Sequence, residues 1–230
     1  MTADQASGEV APTATVTRRE LAMARALEQT RSRAQNRVEL FLDAARALMN
    51  DSSEFTVQEV VERSGQSLRT FYQYFAGKHE LLLALFEESI RAAASHLEQV
   101  VAESDEPLDR LHRFAVEYHR MCRLTPEGRP ASGPAPAMVE FAQQLLTSHP
   151  NEAALAFSPL MAQLELLLAD ASASGDVRPD LDHRRIAGVV LQATMFNAFA
   201  SAISGSSSHP DTAEPETLWD LLVRGIGVGA

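Results

Sequence analysis

Apolar residues recur at helical spacing along almost the whole chain, and no run alternates apolar and polar positions as a half-buried strand would. An arginine-rich helical stretch opens at Thr17 on a Thr-x-x-Glu capping box and continues to about Gln35. Val38, Phe41, Leu42, Ala45, Leu48 and Met49 then make one apolar stripe within 37–49. Thr56 to Glu59 repeats the capping box, with Val57, Val60 and Val61 facing inward behind it. Gly65 stops that helix, Ser67 caps another, and Leu68, Phe71 and Phe75 fall on one face of the second. Gly77 interrupts again before a long helix over 78–101. The spacing predicts further helices at 107–124, 136–148, 151–156, 159–174, 183–203 and 215–224. Loops rich in Pro, Gly and Ser separate some of them, at 125–134, 175–182 and 204–211. There is no internal repeat. The fold class is all-α: a small N-terminal three-helix unit with a helix-turn-helix, followed by a larger C-terminal helical bundle. The expected boundaries are a disordered tail at 1–16, an arginine-rich arm at 17–36, the helix-turn-helix unit at 37–80 and the bundle at 81–230.

Residues 56–75 carry the most chemistry. Two short helices joined across Gly65 form a helix-turn-helix, held together by Val57, Val60, Val61, Leu68, Phe71 and Phe75. That leaves Ser67, Arg69, Thr70, Tyr72, Gln73 and Tyr74 outward on the second helix. Hydroxyls, an amide and a guanidinium bond phosphates and base edges. A helix of this kind reads DNA with its N-terminal part, where Ser67, Arg69 and Thr70 sit. A solvated helical hairpin is the plainer alternative, but two tyrosines on the exposed side argue against an indifferent surface. Lys78, the only lysine among twenty basic residues, opens the next helix, whose N-terminal amides favour an anion.

The stretch Thr-Phe-Tyr-x-Tyr-Phe-x-x-Lys-x-x-Leu-Leu at 70–82 resembles the DNA-binding segment of the tetracycline-repressor (TetR) family of transcriptional regulators. The likeness is strong over about 33–85 and continues weakly into Gly-Asp-Val-Arg-Pro-Asp-Leu-Asp at 175–182, a turn often found before the family's dimer-forming helix. The resemblance implies phosphate contacts from Thr56, Thr70, Tyr72, Tyr74 and Lys78, and approach to bases by Ser67, Arg69 and Gln73. Arg69 replaces the small residue frequent at its position, so base reader and phosphate clamp both stay open for it. The family's effector pocket lies in the C-terminal bundle.

Charge sharpens this picture. The chain of 230 residues has a formal net charge of −11, which argues against indiscriminate coating of nucleic acid or anionic membrane. Residues 15–80 are nearly balanced, with ten basic and nine acidic side chains, whereas 81–230 hold ten against twenty. A near-neutral, arginine-bearing end attached to an acidic remainder hints at an anion-binding end. The six arginines Arg18, Arg19, Arg25, Arg31, Arg33 and Arg37 either form an arm toward DNA or lie on a solvated helix face. One cysteine, Cys122, excludes an intrachain disulfide framework and fits a reducing cytosol. The acidic start, without an apolar stretch, is no secretory signal, and the expected location is cytoplasmic.

In the bundle, the helix from Pro107 places Phe114, Tyr118 and Met121 on one face and Arg110, Arg113, Arg120 and Arg123 on the other, so the arginine stripe reads as solvated. Phe114, Tyr118 and Met121, with Met138, Phe141, Leu145, Phe157, Met161 and Leu164, either line an apolar pocket or make ordinary core. Between Ile186 and Ser208 there is no charged residue, and apolar groups surround the helix. Gly188, Gln192 and Thr194 interrupt it, which disfavours a membrane span. A homodimer through Val189, Phe196, Phe199, Ile203, Trp219 and Leu222 explains it better. Asp109 with His112, and Asp180 with His183, have metal-ligand spacing but lack companion glutamates, and no nucleophile motif or glycine-rich phosphate loop occurs. No metal, cofactor or catalytic residue is expected. The expected protein is a homodimeric regulator that binds double-stranded operator DNA, a repressor released from a palindromic site by a small apolar or aromatic effector. The rivals are an all-α small-molecule enzyme with a vestigial helix-turn-helix and an effector-independent DNA-binding protein.

Overall fold

The computed structural model describes residues 17–51, 54–122, 136–203 and 214–228, with side chains given for all of these except 51, 136–137, 139, 197–203 and 214. Within them the elements are α1 (Arg18–Asp51), α2 (Val57–Ser64), α3 (Leu68–Tyr74), α4 (Lys78–Val101), α5 (Pro107–Cys122), α6 (Pro136–Ser148), α7 (Pro150–Ala156), α8 (Ser158–Ala173), α9 (His183–Ile203) and α10 (Glu214–Ile226). The all-α expectation holds for these residues; the one bridge pairs Val177 with Gly227. The tail at 1–16 and the loops at 125–134 and 204–211 lie outside the described residues.

The sequence suggests two stretches before residue 50, but α1 is one helix of 34 residues. No Gly or Pro stands between Gln35 and Arg37, so nothing ends the first stretch. Its start is the expected capping box: the Glu20 carboxylate accepts from the Thr17 amide at 2.7 Å, and the Glu20 amide donates to the Thr17 hydroxyl at 3.3 Å. Every residue from Thr17 to Arg33 is exposed, so the first half of α1 projects from the body. Its second half buries Phe41, Leu42, Ala44, Ala45 and Met49. Phe41 sets its ring edge-on against Phe71 at 5.4 Å and Phe75 at 6.2 Å, the arrangement aromatic quadrupoles favour.

In the larger unit, α5 and α8 pack on each other and each on both α4 and α9, α10 lies against α5, and α6 and α7 close one side. Phe114, Leu145, Leu160, Leu164 and Leu168 are fully or almost fully buried at the centre. Helix α4 is shared: it contacts α1 at one end and the bundle helices along its length. The turn after α8 is tied to the end of the chain, with Arg178 N–H donating to the Ile226 carbonyl at 2.9 Å and Val228 N–H to the Asp176 carbonyl at 3.0 Å. That clasp carries α10 two residues past the predicted end at 224. Among the described residues, no single helix is long and apolar enough to cross a membrane.

Candidate nucleic-acid interface and bundle cleft

The recognition hairpin is built from caps. The Thr56 hydroxyl accepts from the Glu59 amide at 3.2 Å, and the Glu59 carboxylate accepts from the Thr56 amide at 2.6 Å and its hydroxyl at 2.8 Å. Those bonds, led by the Thr56 hydroxyl, hold the Glu59 carboxyl below the usual range. Gly65 then turns the chain at φ 66°, a left-handed conformation that side chains resist, and its N–H and that of Gln66 satisfy the last carbonyls of α2. Ser67 caps α3, accepting from the Thr70 amide at 3.0 Å, and its hydroxyl lies 2.8 Å from that of Thr70. Phe71 and Phe75 anchor α3 to the core.

Arg69, Tyr72 and Gln73 are exposed together with Ser67, so α3 does present a polar outer face. Two placements differ from the sequence reading. Leu68 is 42% exposed and does not lock the hairpin: as the first residue of a seven-residue helix, it lies one turn from exposed Tyr72, not on the Phe71 and Phe75 side. Tyr74 is half-buried and packed on the core instead of fully outward. Lys78 opens α4, its ammonium donating to the Phe55 carbonyl at 2.6 Å and lying 4.4 Å from the Phe55 ring centroid. The Ala76 amide beside it donates to the Glu80 carboxylate, which occupies the start of α4.

In the bundle, α5 to α9 surround a cleft of about 590 Å³. Tyr118, Phe157 and Met161 line it, as do Leu146, Ala153 and Leu191. Phe114, Met138, Phe141, Leu145 and Leu164 are buried in the core away from this lining, and Met121 is half-buried against the core. The cleft adds residues that the sequence reading did not assign to it. Arg184, Gly188, Gln192 and Met195 line its α9 wall, while Ser158 and Glu165 supply polar atoms from α8. The signal was present: Gly188 and Gln192 interrupt the apolar helix at a spacing of four, which puts them on one face. Tyr118 stacks on Phe114 at 6.1 Å and shares a hydrogen bond with the Cys122 thiol. Burial pushes the Tyr118 hydroxyl well above its usual range and the thiol up to about 12.

Arg110 pairs with Asp170 at 3.1 Å, Arg113 with Asp109 at 2.7 Å and Glu103 at 2.9 Å, and Arg120 with Glu117. That arginine side is a surface of ion pairs; Arg123 lies outside the described residues. On α9, Ala187, Val190, Leu191 and Met195 are buried, whereas Val189 is 55% and Phe196 45% exposed. Phe199 and Ile203 lie outside the described side chains. Trp219 sits against the His112 ring at 5.0 Å, and Leu222 is half-buried against the core. His112 also lies 2.8 Å from a Glu216 oxygen, a glutamate the local spacing did not reveal.

Residues 41–85 match the family model for the N-terminal domain of bacterial regulatory proteins, tetR family. No curated protein sequence matches the chain. Among solved structures, the fold resembles a TetR-family transcriptional regulator from Pectobacterium atrosepticum with a TM-score of 0.67 at 17% identity, over 86% of this chain and 97% of that one. It also resembles the transcriptional regulator FadR from Bacillus subtilis, solved with stearoyl-CoA, with a TM-score of 0.61 at 17% identity over 82% and 98%. RolR, solved with resorcinol, gives 0.61 at 18% over 86% and 91%. Residues 41–85 therefore match the DNA-binding domain of tetR-family regulatory proteins in sequence, and the described helices share the fold of TetR-family transcriptional regulators.

Proposed function

We propose that the protein is a homodimeric repressor, released from a palindromic operator when a small molecule with an apolar or aromatic body enters the bundle cleft. The carrying observation is the cleft. Its 590 Å³ falls in the ordinary range for small-molecule sites, and its walls are chiefly apolar with a few polar groups at fixed places. Phe157, Met161, Leu191 and Met195 suit an apolar body, while Arg184, Glu165, Gln192 and Tyr118 would orient a polar end. Two proteins of the same fold, solved with stearoyl-CoA and with resorcinol, support a ligand of this kind. Thr56, Ser67, Arg69, Thr70, Tyr72, Gln73, Tyr74 and Lys78 would make the DNA surface. Val189 and Phe196 on the outer face of α9 would meet a second copy, joined by residues of α10, and this two-fold symmetry would match the operator's.

Helix α7 walls the cleft and packs on α4, which carries Lys78 at its start. A ligand that displaces α7 therefore changes the spacing of the two recognition helices in a dimer. A coupling of about 1–3 kcal/mol would loosen the operator roughly 5- to 150-fold, and operator must weaken the ligand by the same factor. The test is ligand affinity measured with and without saturating operator, taken from the promoter region that the protein protects. Equal affinities would mean that the cleft does not control DNA binding.

A further inference from the structure

Two histidines and a glutamate converge where α4 and α7 begin. His79, the second residue of α4, places Nε2 2.7 Å from Glu152 Oε2. His149, just before α7, places Nδ1 3.9 Å from the same oxygen. The two imidazole centroids are 4.5 Å apart. One ligand atom from each residue lies within 4.8 Å of the other two, and this is the one such trio among the described residues. Tetrahedral zinc, with bonds of about 2.0–2.2 Å, holds its ligand atoms about 3.3 Å apart. The separations of 2.7 and 3.9 Å straddle that spacing and the third is no more than 4.8 Å, so side-chain rotations would bring all three atoms onto one ion.

We propose that His79, His149 and Glu152 form a binding site for one zinc-like divalent cation, which ties the start of α4 to the start of α7. A simple His–Glu ion pair accounts for His79 and Glu152 but not for His149, whose ring tilts against the first and reaches the same carboxylate oxygen only at 3.9 Å. Two nitrogens with one carboxylate suit zinc and its d-block neighbours, whereas magnesium and calcium take oxygen ligands. The three side chains are 40%, 42% and 39% exposed, which leaves a route in and a fourth position for water. Phe141, 5.5 Å from the His79 ring, walls the other side. His112 is the nearest competitor, but it lies against Asp109 and Glu216 through different ring nitrogens, so the three cannot share one ion without reorienting.

The full chain, stripped with a chelator, should be titrated with Zn²⁺ alone by calorimetry, with thermal melts alongside. About one Zn²⁺ per chain is expected, with a rise in Tm because the ion binds only the folded protein. Mg²⁺ should not compete. Altering even an outer partner of a metal ligand costs about 10- to 100-fold in affinity, so His149→Ala and Glu152→Gln should each weaken Zn²⁺ by at least that much. Both residues are well exposed, and their apo melts should match wild type. His112→Ala should leave binding intact. No Zn²⁺ binding, binding undiminished in both site variants, or loss in His112→Ala instead would overturn the proposal. The readout uses no DNA and no effector, so it stands or falls apart from the repressor reading.

Discussion

Lys78 offers the clearest separation of a DNA contact from a structural strut. Its ammonium already donates to the Phe55 carbonyl at 2.6 Å and sits over the Phe55 ring, with two protons left for a phosphate. A hydrogen bond to a charged group contributes about 1.5–3 kcal/mol. A half-exposed cation on an aromatic face adds about 0.5–1 kcal/mol. Lys78 is half-buried, so solvent screens the first figure toward its lower end, and Lys78→Ala should cost about 2 kcal/mol of stability in urea melts. Each phosphate contact also adds about 0.9 to the slope of log affinity against log salt, which is roughly 3-fold in affinity between 50 and 200 mM salt. Lys78→Ala should therefore bind operator less tightly and with a slope shallower by about 0.9. Lys78→Met, which keeps the stem over Phe55 and loses the charge, should show the same slope change with less loss of stability. The assay is fluorescence anisotropy on an operator duplex at four or five salt concentrations. An unchanged slope in both variants, whatever the affinity, would show that Lys78 only holds Phe55 and α2 in place.

Two further outcomes follow from burial. Phe196 is 45% exposed in the protomer, so Phe196→Glu should leave a folded chain that sediments as a monomer; a dimer of native stability would place the interface elsewhere. The Cys122 thiol, raised by burial from 9.0 to about 12, and the Tyr118 hydroxyl, raised in the same sense, both favour the protonated folded state. Their contribution is complete below pH 9 and is lost as pH rises toward 12, so stability should fall over that window and fall less in Cys122→Ser.

The hairpin was legible because its signals are local. Thr56, Glu59, Gly65 and Ser67 each act within four residues, and the caps they make are those their spacing predicts. The same local reading misplaced Leu68, because at the first position of a short helix the apolar period has only two later turns to fix its phase. The cleft was harder to see. Its lining comes from five helices, and whether Phe114 or Phe157 faces it depends on how those helices rotate against one another, which no single helical wheel contains. Gly188 and Gln192 were visible as interruptions, but their meaning needed the α8 neighbour. His149 and Glu152 stand three residues apart, a spacing the sequence shows, but His79 lies some seventy residues away and joins them only when α7 packs on α4.

The first half of α1 poses a sharper question. Sixteen residues at about 1.5 Å each project some 24 Å, and nothing described packs against them. A helix of that length is marginal in water on its own, so its five arginines between Arg18 and Arg33 contribute little to the protein's own stability. Their charges face solvent, where a partner's phosphates could meet them. The hairpin and its flank supply few cations, chiefly Arg63, Arg69 and Lys78, beneath a bundle rich in carboxylates. An operator held by those alone would show a salt slope of only about 3 per protomer. Replacing Arg25, Arg31 and Arg33 together with Gln should leave the urea midpoint unchanged. If the arm lies along the phosphates, the same variant should lower the slope by up to about 3 per protomer. Loss confined to the duplex ends in a footprint would place the arm beyond each half-site. A wild-type slope in the triple variant would make α1 an exposed helix whose charges serve solubility alone.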